Sequence, residues 1–183
     1  MTETVQNFYA LAAALVLASL TALVVAGVVQ LAGGRALTAA ADALDGWELP
    51  VAFVLATMAT AGSLYFSEVA GYIPCPLCWY QRIAMYPLVV LFGLAALRRD
   101  RRAALYGLVL SLAGAVIAAY HYQLEWFPDQ AALCKQGSLC EVIWFKLWGF
   151  VTIPYLSLVA FLGVAALCAI AVRNDRRTGG AEH

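Results

Sequence analysis

Residues 98–122 read RRDRRAALYGLVLSLAGAVIAAYHY. A dense charged cluster, Arg98, Arg99, Asp100, Arg101 and Arg102, stops at Ala103, and from Ala103 to Tyr122 there is no Asp, Glu, Lys or Arg. An α-helix rises about 1.5 Å per residue and the hydrocarbon core of a bilayer is about 30 Å thick, so about 20 apolar residues span it. Ala103 to Tyr122 therefore reads as one transmembrane helix, with the arginines held at one membrane face.

Four further stretches read the same way: Phe8 to Leu31, Leu49 to Ala70, Leu77 to Leu97, and Trp148 to Val172. A backbone in lipid must satisfy its own hydrogen bonds, so each is expected to be a helix. The whole chain agrees. Its 183 residues are 64% hydrophobic and 12% charged, whereas soluble domains run at roughly half apolar and about a quarter charged. The expected class is an all-α integral membrane protein. The formal net charge of zero gives no ground for nucleic-acid binding.

The first span differs from a cleaved signal peptide. Residues 1–7 contain Glu3 and no Lys or Arg, whereas a signal peptide has a basic leading segment and a shorter apolar core. It reads as a retained helix, followed by a loose Ala/Gly-rich linker from Leu31 to Leu44.

Basic residues orient the spans, because Lys and Arg collect in cytoplasmic loops. Arg35, the Arg98–Arg102 cluster, and Arg173, Arg176 and Arg177 fall by alternation on one side, the expected cytoplasmic one. The opposite loops hold only Lys135 and Lys146, so the N-terminus is expected outside and the C-terminus inside. Tyr72, Trp79, Tyr80, Tyr120, Tyr122, Trp126, Trp144 and Trp148 cluster near the outer ends, where Trp and Tyr commonly anchor at the interface.

Four of the five cysteines share that outer side. Cys75 and Cys78 form a C-x-x-C at the start of the third span, and Cys134 and Cys140 a C-x5-C in the last outer loop. Cys168, deep in the fifth span, reads as a packing residue. The pairs admit three readings: two structural disulfides, a four-thiolate metal site, or a redox relay. A closed loop of two residues constrains an unfolded chain little. C-x-x-C is typically a redox unit with an activated thiolate. The loop pair lacks the form of a zinc knuckle, so no metal is expected.

Pro76 suits the first turn of a helix, which places Cys75 and Cys78 at a helix N-terminus, where partial positive charge favours thiolate. Arg82 lies four residues after Cys78, on the same face. An arginine inside a span is a functional-site candidate by its cost alone; it either stabilises the Cys78 thiolate, bonds a carbonyl oxygen, or snorkels to the headgroups. His121 either serves a bound carbonyl or a proton, or is an ordinary interface histidine. Glu68 either pairs with Arg82 or reaches water.

The runs Tyr65-Phe66-Ser67-Glu68-Val69 and Pro74-Cys75-Pro76-Leu77-Cys78-Trp79-Tyr80-Gln81-Arg82-Ile83 resemble the DsbB family of disulfide bond formation proteins, in particular its short-loop BdbC-type members. The run from Gly149 to Leu158, GFVTIPYLSL, is similar to that family's last helix. The resemblance covers about Pro50 to Val172. It implies a four-helix transmembrane bundle over residues 49–173, here with one extra N-terminal helix and linker (1–48) and a cytoplasmic tail (174–183). It implies a bacterial inner-membrane thiol:quinone oxidoreductase that draws ubiquinone or menaquinone from the lipid pool. The implied partner is a DsbA-type thioredoxin-fold oxidase; such a relay keeps a bacterial periplasm oxidising. Residue by residue, it implies that Cys134 meets the partner, Cys140 exchanges with Cys75, and Cys78 delivers electrons to the quinone. Arg82 and His121, with Glu68 nearby, would form the quinone site. The extra helix and the short outer loop depart from the family pattern, and Gln81 stands where some members have an acidic residue.

Two rivals make different demands. A vitamin K epoxide reductase-like enzyme would carry its loop pair before the C-x-x-C, the reverse of the order here. A disulfide-stapled scaffold without activity would lose stability, and no catalysis, on loss of its cysteines.

Overall fold

The computed structural model describes residues 2–98, 100–130 and 139–179. Arg99, Cys134 and Lys135, used above, lie outside the described residues. The described chain is all helical: α1 (Thr2–Leu31), α2 (Ala36–Ala43), α3 (Glu48–Leu64), α4 (Pro76–Arg98), α5 (Ala103–Trp126) and α6 (Ile153–Gly179). All except α2 are long and apolar enough to cross a membrane. Helices α3, α4, α5 and α6 pack in a closed ring, each against its two neighbours, and α1 lies outside the ring against α6.

Small residues set the close approaches, as is usual where lipid tails compete with apolar side chains. Phe92 of α4 and Phe161 of α6 are fully buried. Phe92 sits over Gly107 and Phe161 over Gly114, both on α5, where a methyl group would collide with the ring. Helix α1 docks through two similar notches: Tyr9 lies over Gly62 of α3, and Val16 over Gly163 of α6.

The structure corrects two expectations. The stretch from Leu31 to Leu44 is not a loose linker, since Ala36–Ala43 forms α2. Ala41 is fully buried, and its carbonyl accepts from Asn174 Nδ2 of α6 at 3.0 Å. Alanine's helix preference supplies the local tendency, and this contact fixes it. The last span begins at Ile153 rather than Trp148. Trp148 and Gly149 have φ of +50° and +79°, a left-handed turn closed by Leu147 pairing with Val151, and Pro154 then suits the first turn of α6.

One end of the bundle gathers the arginines. Arg101 pairs with Asp45 at 2.8 Å and Arg177 with Asp42 at 2.7 Å. Asn174, two residues past the apolar run that ends at Val172, also donates to buried Glu48 at 2.7 Å, whose second oxygen accepts from Gly46 N at 2.8 Å. The segments following α1, α4 and α6 thus meet at one end. The C-x-x-C lies at the other.

Candidate functional site

At that second end α3 finishes in a π-helical turn, Tyr65–Val69. Such turns often mark functional sites. Gly71, with φ +73°, lets the chain reverse into Ile73-Pro74 and start α4 at Pro76. Cys75 then occupies the N-cap position. Its Sγ accepts from Cys78 N at 3.3 Å, as a serine or aspartate oxygen would at other helix starts. The spacing thus places both sulfurs at a helix N-terminus, 3.1 Å apart and within hydrogen-bond reach of each other.

The two sulfurs face different surroundings. Cys75 is 1% exposed and shares a buried apolar cluster with Leu77, Leu124 and Cys140. Cys140, on a short 3-10 turn (Leu139–Glu141), is disulfide-bonded, whereas Cys75, Cys78 and Cys168 are free thiols. Cys78 packs against the edge of the same cluster and, unlike Cys75, also lines a cavity of about 140 Å³, together with Ser63, Gln81, Arg82, His121 and Glu125. Apolar room of about 150 Å³ in a protein takes a benzene-sized ring, so one six-membered ring fits here.

Arg82 lines this cavity and is 9% exposed. Its Nε donates to Ser63 Oγ and its Nη2 to the Ser63 carbonyl, each at 3.0 Å. Tyr86, one turn on, donates to the same hydroxyl at 3.3 Å. Its guanidinium carbon lies 5.2 Å from the centre of the Trp79 ring. No carboxylate pairs with it among the described residues, and Nη1 has no partner there. This arginine is held inward rather than snorkelling.

His121 Nδ1 is 3.0 Å from Gln81 Nε2, and its Nε2 is 3.6 Å from Cys75 Sγ. With Gln81 donating to Nδ1, the ring proton sits on Nε2, aimed at Cys75. The hydrogen bond from the Cys78 thiol is the main reason the Cys75 thiol titrates well below its ordinary range; His121 adds to it, and burial opposes it.

The sequence-predicted residues divide clearly. Cys75, Cys78, Arg82 and His121 come together. Glu68 does not join them: it is exposed, lies outside the cavity, and accepts from Ser67 Oγ at 2.9 Å. Three residues were missed. Ser63 orients Arg82 from another helix, and only a hydroxyl in an apolar span signals it. Gln81 orients His121. Glu125 lies one turn beyond His121 and accepts from buried Thr152 at 2.6 Å; the four-residue spacing was its signal. The aromatics also divide. Trp79, Tyr80, Trp126 and Trp148 are exposed, as interface anchors would be. Tyr72 and Trp144 stack at 4.9 Å and line the cavity.

Cys75, Cys78 and His121 bring their ligand atoms within 4.8 Å of one another. A structural zinc site takes four ligands, and no further Cys, His, Asp or Glu joins the group among the described residues.

Residues 47–171 match the family profile described as "Disulfide bond formation protein DsbB". The chain is 42% identical over 128 residues to a "Probable disulfide formation protein" of Oceanobacillus iheyensis, covering 68% of this chain and 88% of the relative. It is 43% identical over 116 residues to "Disulfide bond formation protein C" of Bacillus subtilis, covering 62% and 84%. With "Probable disulfide formation protein C 2" of Bacillus cereus the identity is 37% over 133 residues, covering 72% and 94%. No solved structure matches the chain significantly.

Proposed function

The chain belongs to the DsbB family of disulfide bond formation proteins, and on that premise we propose that it is a protein-thiol:quinone oxidoreductase of a bacterial inner membrane. It reoxidises a DsbA-type thioredoxin-fold oxidase and passes two electrons through two cysteine pairs to ubiquinone or menaquinone. The short outer loop and the relatives named disulfide formation protein C favour the short-loop, BdbC-type subgroup. The C-x-x-C end faces outward, where disulfides persist, and the arginine end faces the cytoplasm.

The observation that carries this reading is the split between the two sulfurs. Cys75 packs with Cys140, and Cys78 lines the ring-sized cavity. A partner thiolate attacks Cys134 of the loop disulfide and releases Cys140 as thiolate. Cys140 attacks Cys75 and releases Cys78; the partner's second thiolate then attacks its mixed disulfide with Cys134, leaving as the oxidised partner, and the freed Cys134 attacks Cys140 and releases Cys75. The loop disulfide is thereby restored and Cys75 and Cys78 become a dithiol. Each exchange makes one S–S bond and breaks one.

The fit of a quinone rests on this chain's own groups: space for one ring, the open Nη1 of Arg82, and Glu125 and His121 across the cavity. When bound, a quinone would supply an acceptor for two electrons and two protons. Arg82, fixed by Ser63, would hold a carbonyl oxygen and stabilise negative charge at Cys78. His121, oriented by Gln81, takes up and returns a proton at Cys75, and Glu125 offers a second proton site. As Cys75 and Cys78 rejoin, the disulfide reforms at the helix N-terminus.

The test follows quinone absorbance with purified protein, a reduced thioredoxin-fold partner and a soluble quinone. Wild type consumes quinone only with partner present, and Cys78→Ser does not. Equal consumption by both proteins, or none by wild type with a competent partner, contradicts the reading.

A further inference from the structure

Helix α1 lies outside residues 47–171, the segment matched to the family, so what it adds belongs to this chain. It is not a loose appendage. Tyr9 donates to the Met58 carbonyl at 3.1 Å, and Gln6 donates to Tyr72 OH at 3.0 Å. Tyr9 also packs against Phe66, with ring centres 5.8 Å apart. The notches at Gly62 and Gly163 receive its side chains at two levels. Its buried residues, Gln6, Ala10 and Ala13, all fall in the half nearest the C-x-x-C end. Beyond them the helix is mostly exposed, as a lipid-facing surface would be.

The cavity beside Cys78 continues toward this half of α1. Its polar groups, Cys78, Arg82, His121 and Glu125, lie at one end. Away from them the lining becomes apolar, with Leu55 and Ala59 of α3, Ala160 of α6, and Tyr9, Ala12, Ala13 and Val16 of α1. From Tyr9 to Val16 a helix rises about 10 Å. The lining is thus polar beside Cys78 and apolar beside α1. Arg82, with its unpartnered Nη1, marks the polar end. That polarity pattern matches a molecule with one polar ring and a linear hydrocarbon tail.

The geometry points to α1 as the wall of a tail subsite: Ala12, Ala13 and Val16 receive the first isoprenoid units of the quinone whose ring lies at Cys78 and Arg82. The inference rests on the quinone reading above and adds a tail-reading element to it. Ala12 and Ala13 give two adjacent wall positions small side chains. A bulkier side chain there fills that part of the cavity without touching the ring site. Binding is then selective for tailed over tail-less quinones through residues that no thiol or proton touches.

The test uses the full-length protein in lipid nanodiscs and a quinone carrying a photoreactive group on its first isoprenoid unit. After irradiation the label is mapped by peptide mass spectrometry, with and without excess unlabelled tailed quinone. The expected result is competitor-sensitive labelling between Tyr9 and Val16. In parallel, Ala12→Phe and Ala13→Phe are compared with Leu15→Phe, which lies on the exposed face of α1. The wall variants should raise the KM for a tailed quinone about tenfold, with little change for a tail-less one, as loss of apolar burial by the tail alone predicts. Leu15→Phe should change neither. Because Ala13 is buried and Ala12 is half-buried, Ala12→Phe keeps the test open if Ala13→Phe fails to fold. Quinone reduction with competitor-sensitive label only on other helices, or equal effects on both quinones, overturns the role of α1 alone. Absence of any quinone binding or reduction by wild type overturns the underlying reading instead.

Discussion

The two ends of this bundle use polar residues for opposite purposes. At the arginine end, the ion pairs Arg101–Asp45 and Arg177–Asp42 are well exposed, where such pairs contribute about 0–1 kcal/mol each. The buried contact of Asn174 with Glu48 and Ala41 closes that end by linking α2, α3 and α6. At the C-x-x-C end, Arg82, Gln81 and His121 are buried around a cavity. Burying a cation without a carboxylate partner is unfavourable, and Arg82 is held there by one serine and a tyrosine neighbour. Stability explains the first end. On the proposed function, the second serves reactivity, with groups kept ready for a ligand and a thiolate.

The comparison can be broken at five points. Cys78→Ser should have the largest effect, abolishing quinone reduction while the protein stays folded; unfolding of this variant would instead assign the pair a structural role. Arg82→Met should raise the quinone KM about tenfold to a hundredfold, the value of hydrogen bonds from a charged donor, with partner exchange unchanged in stopped-flow traces. His121→Gln should move the pH midpoint of quinone reduction upward. The sign follows from the Cys75 thiol, which the Cys78 hydrogen bond chiefly, and His121 in addition, hold low: without His121 the thiol ionises at higher pH, so the rising limb of the rate moves up. An unchanged pH profile would remove His121 from thiol activation.

At the other end the same experiments should be silent. Asn174→Leu removes a donor from buried Glu48 and should lower stability by about 1–3 kcal/mol, read by thermal unfolding, with the turnover of folded protein intact. Asp45→Asn should lose less than about 1 kcal/mol and no activity. A drop in quinone turnover in either variant would mean that the two ends are coupled.

The spans and the placement of the C-x-x-C at a helix start were legible in the sequence because lipid imposes an unambiguous length and because Pro76 suits the first turn of a helix. Arg82 stood out by the cost of its location. What escaped was decided between helices. Nothing local to Ala36–Ala43 announces Asn174, 133 residues from Ala41. Trp148 continues an apolar run in sequence, yet its left-handed backbone ends that run. Ser63 looks like any hydroxyl in a span until α4 brings Arg82 against it. Glu125 falls just past the fourth span in sequence, and its partner, Thr152, comes from the loop before α6. Glu68 drew notice as an acidic residue near the outer end of a span, but the π-helical turn carries it to the surface.

The central claim is that Cys78 alone passes electrons into the cavity. It is tested most directly by adding one equivalent of quinone anaerobically to fully reduced protein, without partner, and counting quinol formed and thiols lost at Cys75 and Cys78. The prediction is one quinol formed per two thiols lost in wild type, the same in Cys134→Ser, and none in Cys78→Ser. Quinol formation that survives Cys78→Ser, or that oxidises the loop cysteines while Cys75 and Cys78 stay reduced, would contradict it.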